Sequence, residues 1–136
     1  IKGIKDSSGD MTLVGEYLRR TPNRFSVLMG RDTLIYAALC MGAKGSIAAT
    51  ANVAPKLVSE IYEAFIEGDA ERSFECQKKL APLRIAFGLG TFPVVIKEAL
   101  AMIGLDVGTC RKPVGPLSDD NRAQLRNVLK EIGFDV

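Results

Sequence analysis

The stretch Ile1-Lys2-Gly3-Ile4-Lys5-Asp6-Ser7-Ser8-Gly9-Asp10 opens the chain and governs how everything after it is read. A short apolar strand, Ile1 to Lys5, ends in a lysine and passes at once into a Gly/Ser/Asp turn. Strand alternation puts Gly3 and Lys5 on one face and Ile4 on the other. If Ile4 packs under helices, Lys5 points away from them and Gly3 leaves it room. A lysine at the C-terminal end of a buried parallel strand can be desolvated enough to lose its proton and become an amine nucleophile. Taken alone, a strand-end lysine is more often a solvated surface charge, so the flanking chain must decide.

Outward from this stretch, strands and helices alternate. Asp10 is placed to cap a helix running to about Arg20, with Met11, Leu13, Val14, Tyr17 and Leu18 at the helical period. Thr21-Pro22-Asn23 breaks it. Phe25 to Met29 reads as a second strand, followed by a tight turn at Gly30-Arg31-Asp32. Leu34 to Met41 reads as a helix ended by Gly42. Gly45 to Ala49 reads as a third strand and Thr50 to Ala54 as a loop. Pro55 suits the first turn of a helix running to about Glu67. Strand then helix, three times over, argues for parallel strands with helical crossovers. In such folds the site lies at the C-terminal ends of the strands.

The remainder reads as helical. Asp69 caps a helix extending to about Leu89, which Pro82 should kink or split. Thr91 can cap a helix through Met102, with Pro93 in its first turn. Gly104 to Leu117 reads as a loop. Ser118-Asp119-Asp120 starts an amphipathic helix to about Ile132, its early acids matched to the positive helix end.

Composition narrows the chemistry. Apolar residues make up 47% and charged residues 25%, the balance of a soluble globular protein. Lys and Arg number 18 against 16 Asp and Glu, interspersed, so there is no basic stripe for nucleic acid. No apolar run approaches a membrane span, and no leader pattern points to secretion. Cys40, Cys76 and Cys110 are widely spaced and form no CxxC pair. They read as reduced thiols of a cytoplasmic protein, with neither a disulfide framework nor a zinc site. The sequence has no histidine, which removes Ser-His-Asp and Cys-His nucleophile systems and histidine metal sites from this chain. Any catalysis must use Lys, Tyr, carboxylates, hydroxyls or backbone groups. Gly88-Leu89-Gly90 is a lone GxG with no strand before it, which gives a dinucleotide site little support. Val94, Val95, Ala99, Met102 and Ile103 read as a core face. Tyr17, Tyr36 and Tyr62 read as packing residues.

Three parallel strands do not close a barrel, which needs eight strands and about 250 residues. Both outer strands would expose unpaired backbone groups. With a strand beginning at the first residue, the chain is expected to be the C-terminal portion of a longer enzyme.

Four stretches in order carry a resemblance to a known family. Gly3-Ile4-Lys5-Asp6-Ser7-Ser8-Gly9-Asp10 resembles the Schiff-base lysine motif of the dihydrodipicolinate synthase and N-acetylneuraminate lyase family. Val27-Leu28-Met29-Gly30-Arg31-Asp32 resembles the next strand and its glycine turn. Gly42-Ala43-Lys44-Gly45-Ser46-Ile47-Ala48-Ala49-Thr50-Ala51-Asn52 resembles the eighth strand and the loop after it. Cys110-Arg111-Lys112-Pro113-Val114-Gly115-Pro116-Leu117 resembles the proline-bearing loop before the last helix.

The resemblance implies an α/β fold that is the C-terminal portion of a (β/α)8 TIM barrel. Residues 1–67 would be strands six to eight with their helices, and residues 68–136 the C-terminal helical extension. It implies a pyruvate-dependent class I lyase, usually a homotetramer. Pyruvate and an aldehyde acceptor, aspartate semialdehyde first among them, would be its small-molecule substrates on the path to lysine. It implies no cofactor and no metal, only a covalent imine between Lys5 and pyruvate. Ile47 matches the position whose backbone carbonyl faces the bound pyruvate; by side chain it is a core strand residue. Gly30 lies inside the site or is simply a turn glycine. Ser7 is the better substrate-binding candidate of the two serines, and Asp10 the better helix cap. Arg31 reads as a surface residue at a helix start rather than an anion contact.

In the sialic-acid branch an Asp-Glu pair and a serine are expected where this chain has Asp32-Thr33 and Ala49, which weakens that assignment. The family's tyrosine proton shuttle and acceptor-binding arginine belong to the part before Ile1, so this chain alone is expected not to turn over. Another 2-oxo-acid or sugar-acid aldolase of the family is the close alternative. A non-catalytic interaction module is the alternative of another class.

Overall fold

Strand β1, Gly3–Asp6, pairs in parallel with β2, Ser26–Met29, and β2 pairs in parallel with β3, Gly45–Ser46. The computed structural model describes all 136 residues, Ile1–Val136. The chain forms two compact units, Ile1–Lys78 and Lys79–Val136. The sheet belongs to the first, in the order β1-β2-β3.

Helix α1, Met11–Arg20, connects β1 to β2, and helix α2, Ile35–Met41, connects β2 to β3. Asp10 caps α1 as its sequence position requires, its carboxylate accepting the Thr12 and Leu13 N–H groups at 2.8 and 3.3 Å. Gly42 ends α2 in the left-handed conformation at φ 107°, which a side chain would strain. Both helices pack against the sheet, and Val14, Val27, Met29, Ile35 and Ala38 are buried in the resulting core.

The third strand is shorter than its sequence suggests. Gly45 to Ala49 reads as one extended run, yet pairing stops at Ser46, and Ala49–Asn52 winds into a 3-10 helix. The cause is tertiary: Thr50 is drawn onto the buried carboxylate of Asp32, which a strand continuing outward could not reach. Pro55 then opens helix α3, Pro55–Ile66.

Helix α4, Ala70–Ile85, runs unbroken through Pro82 and tightens into a 3-10 segment over Ala86–Leu89. The expected kink or split is therefore a change of winding one turn after the proline. The first half of α4 is bonded into the first unit. Ser73 Oγ donates to the Ile61 carbonyl at 2.6 Å, and Gln77 Nε2 donates to the Asp32 carbonyl at 2.9 Å.

In the second unit, helix α5, Val94–Met102, packs on α6, Asp119–Glu131, and both meet the Ala86–Leu89 segment. Leu80, Leu83, Val95, Ala99, Leu125 and Leu129 form its buried core, while Met102 and Ile103 stay partly exposed. Thr91 does not cap α5 with its hydroxyl; its carbonyl accepts the Val94 N–H at 2.9 Å, and Pro93 sits at the cap position rather than within the helix. The loop after α5 is held from inside. Lys97 Nζ donates to the carbonyls of Val107, Gly108 and Thr109 at 3.1, 3.4 and 3.0 Å. Beneath it lies a cavity of about 470 Å³, lined in part by Ala101, Cys110, Val114 and Arg122.

Ser118 caps α6, its hydroxyl accepting the Asn121 N–H at 3.2 Å. Ser118→Ala should lower unfolding stability by about 1 kcal/mol, read as a lower urea midpoint at unchanged slope, with Ser118→Asp restoring it. No helix is long and apolar enough to cross a membrane.

Candidate active site

Register and alternation sort the strand residues into two faces. Lys5 is the register partner of Leu28, and Leu28 of Gly45, so these three share a face with Gly3 and Ser26. Asp6, Val27 and Met29 lie on the other face and are buried. Lys5 is exposed and Leu28 half-buried. Gly3 is on the lysine's face, but the space it leaves serves β2: a Cβ there would run into the Ser26 carbonyl oxygen.

The turn after Lys5 is stitched by its own side chains. Asp6 Oδ1 accepts the Ser8 N–H at 2.6 Å, and Ser8 Oγ accepts the Asp10 N–H at 3.0 Å. The second carboxylate oxygen of Asp6 is buried with no hydrogen-bond partner in the chain. Ser8 is thus committed to the turn, whereas the Ser7 hydroxyl is exposed and reaches across to Gly30.

Gly30 is where the two side chains meet. Its N–H donates to the Asp6 carbonyl at 2.6 Å, continuing the β1–β2 ladder. A Cβ on Gly30 would lie 2.7 Å from Lys5 Cε and 2.8 Å from the Asp6 carbonyl oxygen, and would also overlap Ser7 Oγ. Gly30 is not among the glycines with positive φ, so no left-handed turn requires it. Close approach requires it instead: the lysine stem and the serine hydroxyl occupy the space a side chain would fill.

Ile47 stands at the same end of the sheet, on β3's side. Its N–H donates to the Met29 carbonyl at 2.9 Å, and its own carbonyl accepts no backbone hydrogen bond. Its side chain is exposed rather than in the core. Of the four residues singled out by sequence, the structure brings Lys5, Ser7 and Gly30 into contact and puts Ile47 at the adjoining strand end.

The remaining polar groups sort clearly. Arg31 is exposed and lies along the Gly9 turn. Tyr36 packs edge-on against Phe65 and tilted against Phe74. A hydrogen bond with Cys40, with burial adding to it, pushes its phenol above the usual tyrosine range, which suits a packing group rather than a proton shuttle. Tyr62, also read as packing, is instead exposed. No disulfide joins the three cysteines, and no cluster of His, Cys, Asp or Glu side chains is arranged to hold a metal ion.

One set of bonds leaves no signal in the sequence. Asp32 is only 1% exposed, and its Oδ1 accepts both the N–H and the hydroxyl of Thr50, at 2.7 and 2.6 Å. Gln77 Oε1 accepts the Tyr36 N–H at 3.0 Å while its Nε2 serves the Asp32 carbonyl. The partners are 18, 41 and 45 residues apart, so no local pattern announces them.

A parallel βα sheet that presents a lysine at the carboxyl end of a strand, over a glycine that makes space for it, defines an amine-bearing site of the α/β class. The chain belongs to the dihydrodipicolinate synthetase family, whose model matches residues 1–132. It is 42% identical over 132 residues to a 4-hydroxy-tetrahydrodipicolinate synthase of Archaeoglobus fulgidus, covering 97% of this chain and 46% of that protein. Among solved structures, dihydrodipicolinate synthase from Thermotoga maritima superposes with a TM-score of 0.92 at 34% identity, over 98% of this chain and 46% of that one. A monomeric dihydrodipicolinate synthase variant superposes with a TM-score of 0.93 at 34% identity, over 99% and 46%. The chain therefore spans about half the length of the relatives it matches.

Proposed function

We propose that this chain supplies the lysine-bearing part of a pyruvate-dependent Schiff-base lyase, most closely a 4-hydroxy-tetrahydrodipicolinate synthase. Residues 1–67 are strands six to eight of a (β/α)8 barrel with their helices, and residues 68–136 its helical extension. The observation that carries the reading is the convergence of Lys5 and Ser7 over Gly30 at the carboxyl end of a parallel sheet.

The Lys5 amine attacks the C2 carbonyl of pyruvate and water leaves, giving an imine. Once protonated, the imine takes up the electron pair released when a methyl proton departs, and the resulting enamine attacks the aldehyde of aspartate semialdehyde. The new alkoxide takes up a proton, and the amino group brought in by aspartate semialdehyde then attacks the imine carbon, closing the ring and expelling the Lys5 amine. Ser7 offers its hydroxyl to the substrate, and the unbonded Ile47 carbonyl faces the pyruvate. Asp32 is bonded to Thr50 and Ala49 carries no hydroxyl, which speaks against a polyhydroxylated sialic-acid substrate. Turnover needs groups this chain lacks, so the segment alone is inactive. The reading includes action in the cytoplasm and assembly into a homotetramer, which solution mass measures independently.

Treating the full-length protein with pyruvate and borohydride should leave one reduced pyruvate on Lys5, located by peptide mass spectrometry. An adduct on any other lysine, or none, sinks the reading. Coupled assays with aspartate semialdehyde against sugar-derived 2-oxo acids then separate the synthase from other aldolases of the family.

A further inference from the structure

We infer that Asp32 and Thr50 act together as positioning residues that hold the Ile47 peptide at the mouth of the lysine site. The inference rests on the Schiff-base reading above and adds two residues to it.

Ile47 is fixed from two sides. On its amino side, its N–H is the last rung of the β2–β3 ladder, donated to the Met29 carbonyl at 2.9 Å. On its carboxyl side the chain leaves the sheet at once, because pairing ends at Ser46. Only Ala48 and Ala49 separate Ile47 from Thr50, and neither side chain can hydrogen-bond. The Ala48 and Ala49 carbonyls bond only locally, to the Ala51 N–H and the Asn52 amide, so the next tie to another element is Thr50, fully buried, whose N–H and hydroxyl both donate to Asp32 Oδ1.

Both anchors belong to β2 or the turn after it. Met29 is the last residue of β2, and Asp32 begins the 3-10 helix Asp32–Leu34. That turn is itself tied down, since Gln77 donates to the Asp32 carbonyl and accepts the Tyr36 N–H. Between the anchors, the Ile47 carbonyl is the group that accepts nothing from the backbone. Two N–H and O–H bonds to a buried carboxylate are stronger than neutral pairs, so the loop has one well-defined position. A loop released at Thr50 would let that carbonyl wander, and displacement by about 1 Å is enough to impair a site of this kind.

The decisive variants are Thr50→Val, which keeps the shape and the N–H but removes the hydroxyl, and Thr50→Ser, which keeps the hydroxyl. In the protein as encoded, Thr50→Val should raise KM for pyruvate about tenfold while kcat changes by less than about threefold. Thr50→Ser should restore KM. A purely structural bond would lower the urea midpoint of Thr50→Val and leave KM untouched. Unchanged KM in Thr50→Val, or an equal rise in Thr50→Ser, overturns the inference.

A second measurement does not depend on turnover. Amide hydrogen exchange over residues 47–52 should accelerate in Thr50→Val and not in Thr50→Ser, and unchanged exchange again overturns it. If the wild-type protein forms no pyruvate adduct while exchange responds as expected, the Schiff-base reading has failed and the loop anchor stands.

Discussion

In the full-length enzyme, Lys5→Arg should eliminate pyruvate trapping and reduce kcat/KM by about three orders of magnitude or more. Arginine keeps the charge and much of the stem, but its guanidinium stays protonated and cannot add to a carbonyl. The fold should not notice. Lys5 is exposed and forms no salt bridge, so the urea midpoint should move by no more than about 0.5 kcal/mol equivalent. Lys2 is the internal control. It lies on the same strand path, is exposed, and falls on the opposite face by alternation. Lys2→Arg should leave the adduct intact. An adduct persisting in Lys5→Arg would show that a different amine does the chemistry.

The second large effect is expected from a single methyl group. Gly30→Ala puts a Cβ 2.7 Å from Lys5 Cε and 2.8 Å from the Asp6 carbonyl oxygen, and onto Ser7 Oγ. The two side chains can swing aside, which removes them from the position that makes them useful. The carbonyl cannot, because it accepts the Gly30 N–H at 2.6 Å in the ladder. The variant should therefore lose on both counts. Adduct formation should slow by about two orders of magnitude. Stability should fall by about 1–3 kcal/mol from overpacking at a rigid neighbour. Gly88→Ala is the matched control: Gly88 has no neighbour within 4 Å of an added Cβ and no positive φ, so it should be tolerated. If Gly30→Ala trapped pyruvate at the wild-type rate, the close approach would have no bearing on the site.

The local features of the fold were legible wherever a single residue type carries the signal. Asp10 and Ser118 announce their helices because a side-chain oxygen before an amphipathic run has one productive use, and both make that bond. Gly42 announces a stop, and the strand-helix alternation gives the parallel sheet. Errors came where a distant partner decides. Gly45 to Ala49 reads as a strand by composition, and the pull of Asp32 on Thr50, just past it, turns its end inward. Thr91 looks like a cap, yet its carbonyl takes the bond. Lys5 and Ser7 could be proposed from the sequence because the chemistry they would do lies in their side chains. For Gly30 the residue was visible and the reason was not, because a turn glycine and a glycine vacated for two neighbours look the same in one dimension. The bonds of Asp32 and Gln77 are invisible from sequence for a related cause: a buried polar bond over 18 or 45 residues leaves no periodic trace.

The unbonded carbonyl of Ile47 has a consequence for how such a site can change by mutation. Substitution at codon 47 alters the side chain and leaves the peptide oxygen where it was. On the proposed reading, a saturation scan of that position would thus record tolerance at a spot where an atom of the site sits. Selection can reach the oxygen only through the residues that fix the backbone on either side, so its genetic signature should surface at positions 32 and 50, away from the atom itself.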